Sequence, residues 1–131
     1  MRLCSIEHRS AEMKPEVYAN ARRQVDLVRR EIKKVFAKVD LLITPTMKIP
    51  PTTIAATLNP QAGGGGLNNP GAFDVYGLPA ITLPCGFTSS GLPIGLQISA
   101  APFAESTMLS LARAYEQATE WHKRRPKLET S

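Results

Sequence analysis

Cys4 and His8 stand four residues apart, a spacing that on one helix face could make a thiol–imidazole pair or two legs of a metal site. Two ligands do not hold a zinc ion, the only other histidine is the distant His122, and a polar N-terminal segment of this kind frays. No chemistry is assigned to Cys4. Cys85 closes an apolar run just before Gly86, where a nucleophilic thiol could be presented, but a cysteine in such a run reads as a small core hydrophobe. Gly63-Gly64-Gly65-Gly66 has no serine beside it and offers flexibility without a nucleophile. Thr88-Ser89-Ser90-Gly91 has serines, but it separates two apolar runs and reads as a polar turn. Asp26, Asp40 and Asp74 are too scattered for a carboxylate pair; Asp40 ends a helix or starts a strand, and Asp74 reads as a turn-stabilising residue.

The elements that would hold these residues are legible from periodicity. Val17, Ala21, Val25, Val28, Ile32, Val35 and Val39 fall four, four, three, four, three and four apart, one stripe of an α-helix. Arg22, Arg23, Asp26, Arg29, Arg30, Lys33 and Lys34 lie between them and can stay in water, so a surface helix packed on something apolar is expected. Asp40-Leu41-Leu42-Ile43-Thr44-Pro45 reads as a short strand ended by a proline that cannot donate to a ladder. Residues 48–71 hold Pro50, Pro51, Pro60, Pro70 and the glycine run, which argues against any helix or central strand there.

Ala80-Ile81-Thr82-Leu83-Pro84-Cys85 is mostly apolar, as expected of a strand covered on both faces of an internal sheet. Gly77 and Pro79 flank its entrance, where the chain must turn sharply, and Gly86 permits backbone that other residues resist. Turn residues then lead into Ile94-Gly95-Leu96-Gln97-Ile98, so a hairpin is expected, with Gly95 marking a close backbone approach. Met108, Leu111, Ala112, Tyr115 and Ala118 recur at helical spacing in a final helix over about 104–121. The order helix, strand, long loop, strand, strand, helix, without internal repeat, makes an α/β layered domain the economical architecture.

Composition bounds the function. The 131 residues suffice for one core, and 43% hydrophobic with 21% charged residues is ordinary globular usage. No apolar run approaches the roughly 18 to 20 residues of a membrane span, and the first residues carry no apolar signal region, so a cytoplasmic chain without membrane contact is expected. Two cysteines do not make a disulfide framework. The formal charge of +5 gathers on the polar side of the first helix and in the tail. No aromatic residues alternate with these cations, so a solvated face is expected in place of a nucleic-acid surface.

Two segments, Phe73-Asp74-Val75-Tyr76-Gly77-Leu78-Pro79-Ala80-Ile81-Thr82-Leu83-Pro84-Cys85-Gly86 and Gly91-Leu92-Pro93-Ile94-Gly95-Leu96-Gln97-Ile98, resemble the amidase-signature family. Their order, the hairpin-length gap, the upstream Asp40-Leu41-Leu42-Ile43-Thr44-Pro45-Thr46 and a closing helix ending in Trp121 and Pro126 strengthen the likeness, which covers roughly residues 18–126. The resemblance implies the C-terminal part of a mixed-sheet αβα layered fold, with 1–14 as an extension, 15–126 as the amidase segment and 127–131 as a charged tail. It also implies carboxamide cleavage or transfer by a serine nucleophile, a bridging serine and a lysine, all lying upstream of the matched region.

This chain is therefore expected to supply scaffold and pocket wall and no catalytic residue, without cofactor or metal, and to be inactive alone. The segment 46–74 is expected to border the substrate cleft, with Met47 and Phe73 as apolar and Thr46 and Asp74 as polar substrate contacts. The expected partner is the upstream part of the amidase or a second copy, an amide substrate binding only once the missing part is present. The alternatives are a non-catalytic protein-interaction module that pairs through an exposed sheet edge, and a place in an aminoacyl-tRNA amidotransferase assembly, since some members of the family act there.

Overall fold

A computed structural model describes residues 13–58 and 69–125. Cys4, His8, the run Gly63 to Gly66, Pro126 and the charged tail lie outside the described residues. The first helix, α1 (Pro15–Val35), starts on a proline at its first turn, where the missing N–H is an orphan in any case, with Glu16 near its N-terminus and Lys33 and Lys34 in its last turn. The stripe was expected to run on to Val39; the helix instead unwinds at Phe36 and passes through a turn in which the Lys38 N–H donates to the Val35 carbonyl at 3.0 Å. No α1 side chain is buried, so the apolar stripe forms as a stripe but does not find the cover expected of it.

Strand β1 (Leu41–Pro45) follows. The region after it corrects the expectation of a helix-free connection, because it holds α2 (Ile54–Leu58) and α3 (Asn69–Tyr76). Both start on local chemistry that composition hides. The Thr53 hydroxyl accepts the Ala56 N–H at 3.2 Å, an N-terminal cap, and Pro70 falls in the first turn of α3, where a proline is tolerated. The end of α3 is a Schellman closure: the Leu78 N–H donates to the Phe73 carbonyl at 3.2 Å and the Gly77 N–H to that of Asp74 at 3.1 Å. Gly77 takes φ +69° there, and Phe73 and Leu78, the apolar pair the motif brings together, are both buried.

Strands β2 (Ala80–Phe87) and β3 (Pro93–Ala100) form the expected hairpin. Its turn is tied by the Thr88 N–H donating to the Leu92 carbonyl at 2.8 Å and by the Thr88 hydroxyl accepting the Leu92 N–H at 3.0 Å. The sheet order is β1-β3-β2, antiparallel throughout. β3 is the strand paired on both sides, and its last four residues are all buried. β2, expected to be covered on both faces, is an edge of the described sheet; Ile81 and Leu83 face the core while Ala80 and Thr82 are exposed. Small and hydroxylic residues among large apolar ones hid an alternation. Cys85 is half-buried at a bulge between Pro84 and Gly86, its thiol 3.5 Å from the Ile94 carbonyl, so it is less enclosed than a core residue.

Helix α4 (Glu105–Ala118) covers one face of the sheet. Met108 and Ala112 join Leu83, Ile98 and Ala100 in the core, with Leu41, Ile81, Leu96, Leu111 and Tyr115 packed around them. A 3-10 turn (Trp121–Lys123) then returns to β2: the Trp121 and Phe87 rings lie 6.1 Å apart, and the Arg124 guanidinium sits 5.0 Å from the indole.

Gly77→Ala is expected to lower unfolding free energy by about 1 kcal/mol in a urea titration, the strain of a left-handed residue with a Cβ. A Cβ there would meet nothing nearer than the Arg29 guanidinium at 3.6 Å, so a loss well above this would mean that packing, and not backbone conformation, selects the glycine.

Candidate functional site

Three segments converge where β1 leaves the sheet. The Thr46 N–H donates to the Gly95 carbonyl at 2.8 Å, continuing the β1–β3 ladder one residue past Pro45. The Thr46 hydroxyl lies 3.3 Å from that of Thr82 on β2, across the space above Gly95. That space is filled: a Cβ on Gly95 would come within 2.6 Å of Thr46 Oγ1 and 2.9 Å of Thr82 Cγ2. Gly95 is thus the close approach its place in an apolar run implied, and it is what lets two threonines from different strands meet. The Asn69 side-chain amide at the start of α3 donates to the Pro45 carbonyl, holding α3 against the same strand end.

A groove of about 250 Å³ opens beside this junction, with Met47, Ile49 and Pro50 on one wall and Pro93, Ile94 and Gly95 on the other. Thr46 therefore lies at the junction and its neighbour Met47, 48% exposed, in the groove beside it. Phe73 and Asp74 sit apart on α3. The Phe73 ring is buried and meets Tyr76 edge-on, centroids 6.1 Å apart. Asp74 is exposed, and it is its backbone carbonyl that serves the turn at Gly77. Thr82, Asn69 and Gly95 join the site only through the sheet. Of the three, only Gly95 carried a signal in the sequence.

The face of the sheet turned away from α4 carries a second polar feature. Register sets Thr44 and Thr82 on either side of Gln97, with Ser99 two residues along β3. Gln97 and Ser99 are 2% and 0% exposed, and neither amide atom of Gln97 nor the hydroxyls of Ser99 and Thr44 has a hydrogen-bond partner among the described residues. Nothing in this arrangement is a nucleophile with its base. Ser90 bonds Thr88 inside the hairpin turn, Ser110 bonds the Ser106 carbonyl in α4, and Lys34 and Lys123 pair with Glu31 and Glu120. The ammonium of Lys123, by hydrogen bond and by charge, holds the Glu120 carboxyl below the usual range, on the surface and away from the groove. Among the described residues no group of three or more His, Cys, Asp or Glu side chains could hold a metal ion, and no helix is long and apolar enough to cross a membrane.

The model of the Amidase family matches residues 2–109. The chain belongs to the amidase family. Among the relatives of this amidase segment, the A-subunit of the glutamyl-tRNA(Gln) amidotransferase of Moorella thermoacetica is 44% identical over 121 residues, covering 85% of this chain and 23% of the relative. Its counterpart in Thermodesulfovibrio yellowstonii is 40% identical over 115 residues, again 85% of this chain and 23% of the relative. The structure of a 6-aminohexanoate cyclic dimer hydrolase superposes with a TM-score of 0.76 at 29% identity, over 92% of this chain and 28% of that one. The amidase segment thus spans about a quarter of the length of the proteins it matches, a C-terminal portion of them. The expected α/β fold class and family stand.

Two substitutions test this geometry. Gly95→Ala is expected to cost about 1–3 kcal/mol by overpacking, and Thr46→Ala in the same chain to return part of it; strict additivity of the two would mean the contact is not what excludes the methyl. Gln97→Met replaces an amide without partners by an apolar side chain of similar size. Its melting temperature should equal or exceed that of the unaltered chain, because an unpaired buried amide contributes only its desolvation penalty. A fall of several degrees would reveal a hydrogen bond to that amide in solution.

Proposed function

We propose that this chain is the C-terminal segment of an amidase-type enzyme acting on carboxamide C–N bonds, and that it contributes scaffold and pocket wall while the catalytic serines and lysine come from the part of the enzyme it does not contain. The observation that carries this reading is the family match over a quarter-length segment whose strand-end groove has polar and apolar walls and no nucleophile–base pair. Met47 is the contact the groove favours, an adaptable apolar surface, and Thr46 is proposed as a polar contact from the junction beside it. Phe73 and Asp74 belong to the same wall in this proposal, Phe73 by supporting α3 from within and Asp74 from its exposed side. A second reading, a part of an aminoacyl-tRNA amidotransferase, is favoured by the names of the relatives at 44% and 40% identity.

The purified chain alone is expected to turn over no aliphatic or aryl amide and no glutamine, since residual effects of binding without nucleophile or base are small. Turnover abolished by Ser89→Ala or Ser90→Ala would sink the proposal. With the upstream part restored, Met47→Ala should change the ranking of kcat/KM among amides while folding is kept. Phe73→Ala removes a buried ring and is expected to destabilise by about 3–5 kcal/mol, so Phe73→Leu is the informative variant. An unchanged ranking in Met47→Ala would reduce the groove to a structural connection, and an unchanged ranking in Phe73→Leu would remove α3 from the wall. Glutamine hydrolysis coupled to aminoacyl-tRNA amidation, against hydrolysis of free amides, separates the two readings.

A further inference from the structure

One charge at the candidate groove has no part in the activity proposed so far. Of the residues lining the groove, only Lys48 and Thr88 carry a polar side chain. Thr88 is spent inside the hairpin: its N–H donates to the Leu92 carbonyl, its hydroxyl accepts the Leu92 N–H at 3.0 Å, and that hydroxyl shares a 2.9 Å bond with Ser90. Lys48 is exposed and has no ion-pair or hydrogen-bond partner among the described residues, in contrast to Lys34 and Lys123, which are held by Glu31 and Glu120. No acidic residue lines the groove. Pro50, Pro51 and Pro93 lie in its walls and carry no N–H, so that backbone cannot serve an anion in place of the lysine. An ammonium on a flexible stem is thus the free side-chain donor of a groove otherwise walled by Met47, Ile49 and Ile94.

We infer that Lys48 is a specificity residue of this groove, and that the substrate class it selects is a carboxamide whose short aliphatic chain ends in a carboxylate with no ammonium beside it. The inference rests on the reading of the chain as the pocket wall of an amidase. A groove of about 250 Å³ suits a chain of a few methylenes, which the apolar walls remove from water. An unpaired cation in an otherwise uncharged groove then attracts one anion. The same solitary charge disfavours glutamine. Its α-ammonium sits on the same carbon as its carboxylate and would lie beside Lys48, like charge against like charge, with no lining acid to offset it.

The test uses the enzyme with its upstream part restored and compares glutaramate, pentanamide and glutamine, amides of the same carbon count that differ in charge. Glutaramate should show the highest kcat/KM of the three. Lys48→Met keeps the stem and removes the charge; it should lower the glutaramate-to-pentanamide ratio of kcat/KM about fivefold, the upper end of what a partly exposed ion pair contributes. Lys48→Arg should restore most of that ratio. Lys38→Met removes the same charge from an exposed position outside the groove and should leave the ratio alone. An equal fall in Lys38→Met, an unchanged ratio in Lys48→Met, or glutamine turned over as well as glutaramate by the unaltered enzyme would each overturn the inference. If no amide is turned over, the enzymatic reading falls by itself, and a titration of the same protein with glutaramate decides the site. Amide-proton shifts at Ile94 and Gly95 that Lys48→Met abolishes would sustain it, and their absence would overturn it.

Discussion

β3 is hydrogen-bonded on both sides, and the ladder it holds together positions everything else. Its Ile98 and Ala100 lie at 0% exposure beneath α4, while Gln97 and Ser99 are buried on the opposite face. Each large apolar side chain buried in such a layer contributes on the order of 1.5–3 kcal/mol. β1 and β2 are joined in the sheet only through β3, so the strand at the centre decides their register and hence which of their side chains can meet. Thr46 faces Thr82 because both are placed by the same short stretch of β3.

That dependence reaches the candidate site through a single missing atom. Gly95 has no Cβ, and the two threonines occupy the volume one would need. A β-branched residue would suit a strand better on propensity alone; here proximity of neighbouring side chains overrides propensity. The groove beside Met47 is then a consequence of the same junction, since β1 leaves the sheet just past Thr46, whose N–H makes the last bond of the ladder to the Gly95 carbonyl.

α1 and the sheet illustrate two ways a fold can be satisfied. α4 delivers its apolar stripe onto the core and is covered; α1 carries an equally regular stripe and touches the remainder chiefly at α3, through Arg29 and the turn at Gly77. A helix with such a stripe derives most of its stability from tertiary packing of that face. Among the described residues the stripe has no element covering it, which accords with a segment spanning about a quarter of its relatives. The buried polar row at Thr44, Gln97 and Ser99 is the complementary irregularity, groups that have left water without finding partners among the described residues.

The sequence by itself determined the local elements whose signals are periodic or stereochemical. The stripes of α1 and α4, the hairpin at Thr88 to Gly91, the sharp turn at Gly77 and the close approach at Gly95 were all legible, because spacing and the lack of a Cβ act within a few residues. The family resemblance came from the same turn and strand residues. Tertiary structure decided the rest. It made β3 and not β2 the central strand, since ladder order depends on pairing between distant segments and leaves no mark on any one of them. It put Met47 in a groove and Thr46 against Thr82 of β2 while burying Phe73 in a helix end, and it placed α3 in a stretch whose prolines argued against helix, because a proline is forbidden only after the first turn. Whether an apolar stripe is covered is likewise not a property of the stripe, but of whatever surface the remainder of the polypeptide brings to it.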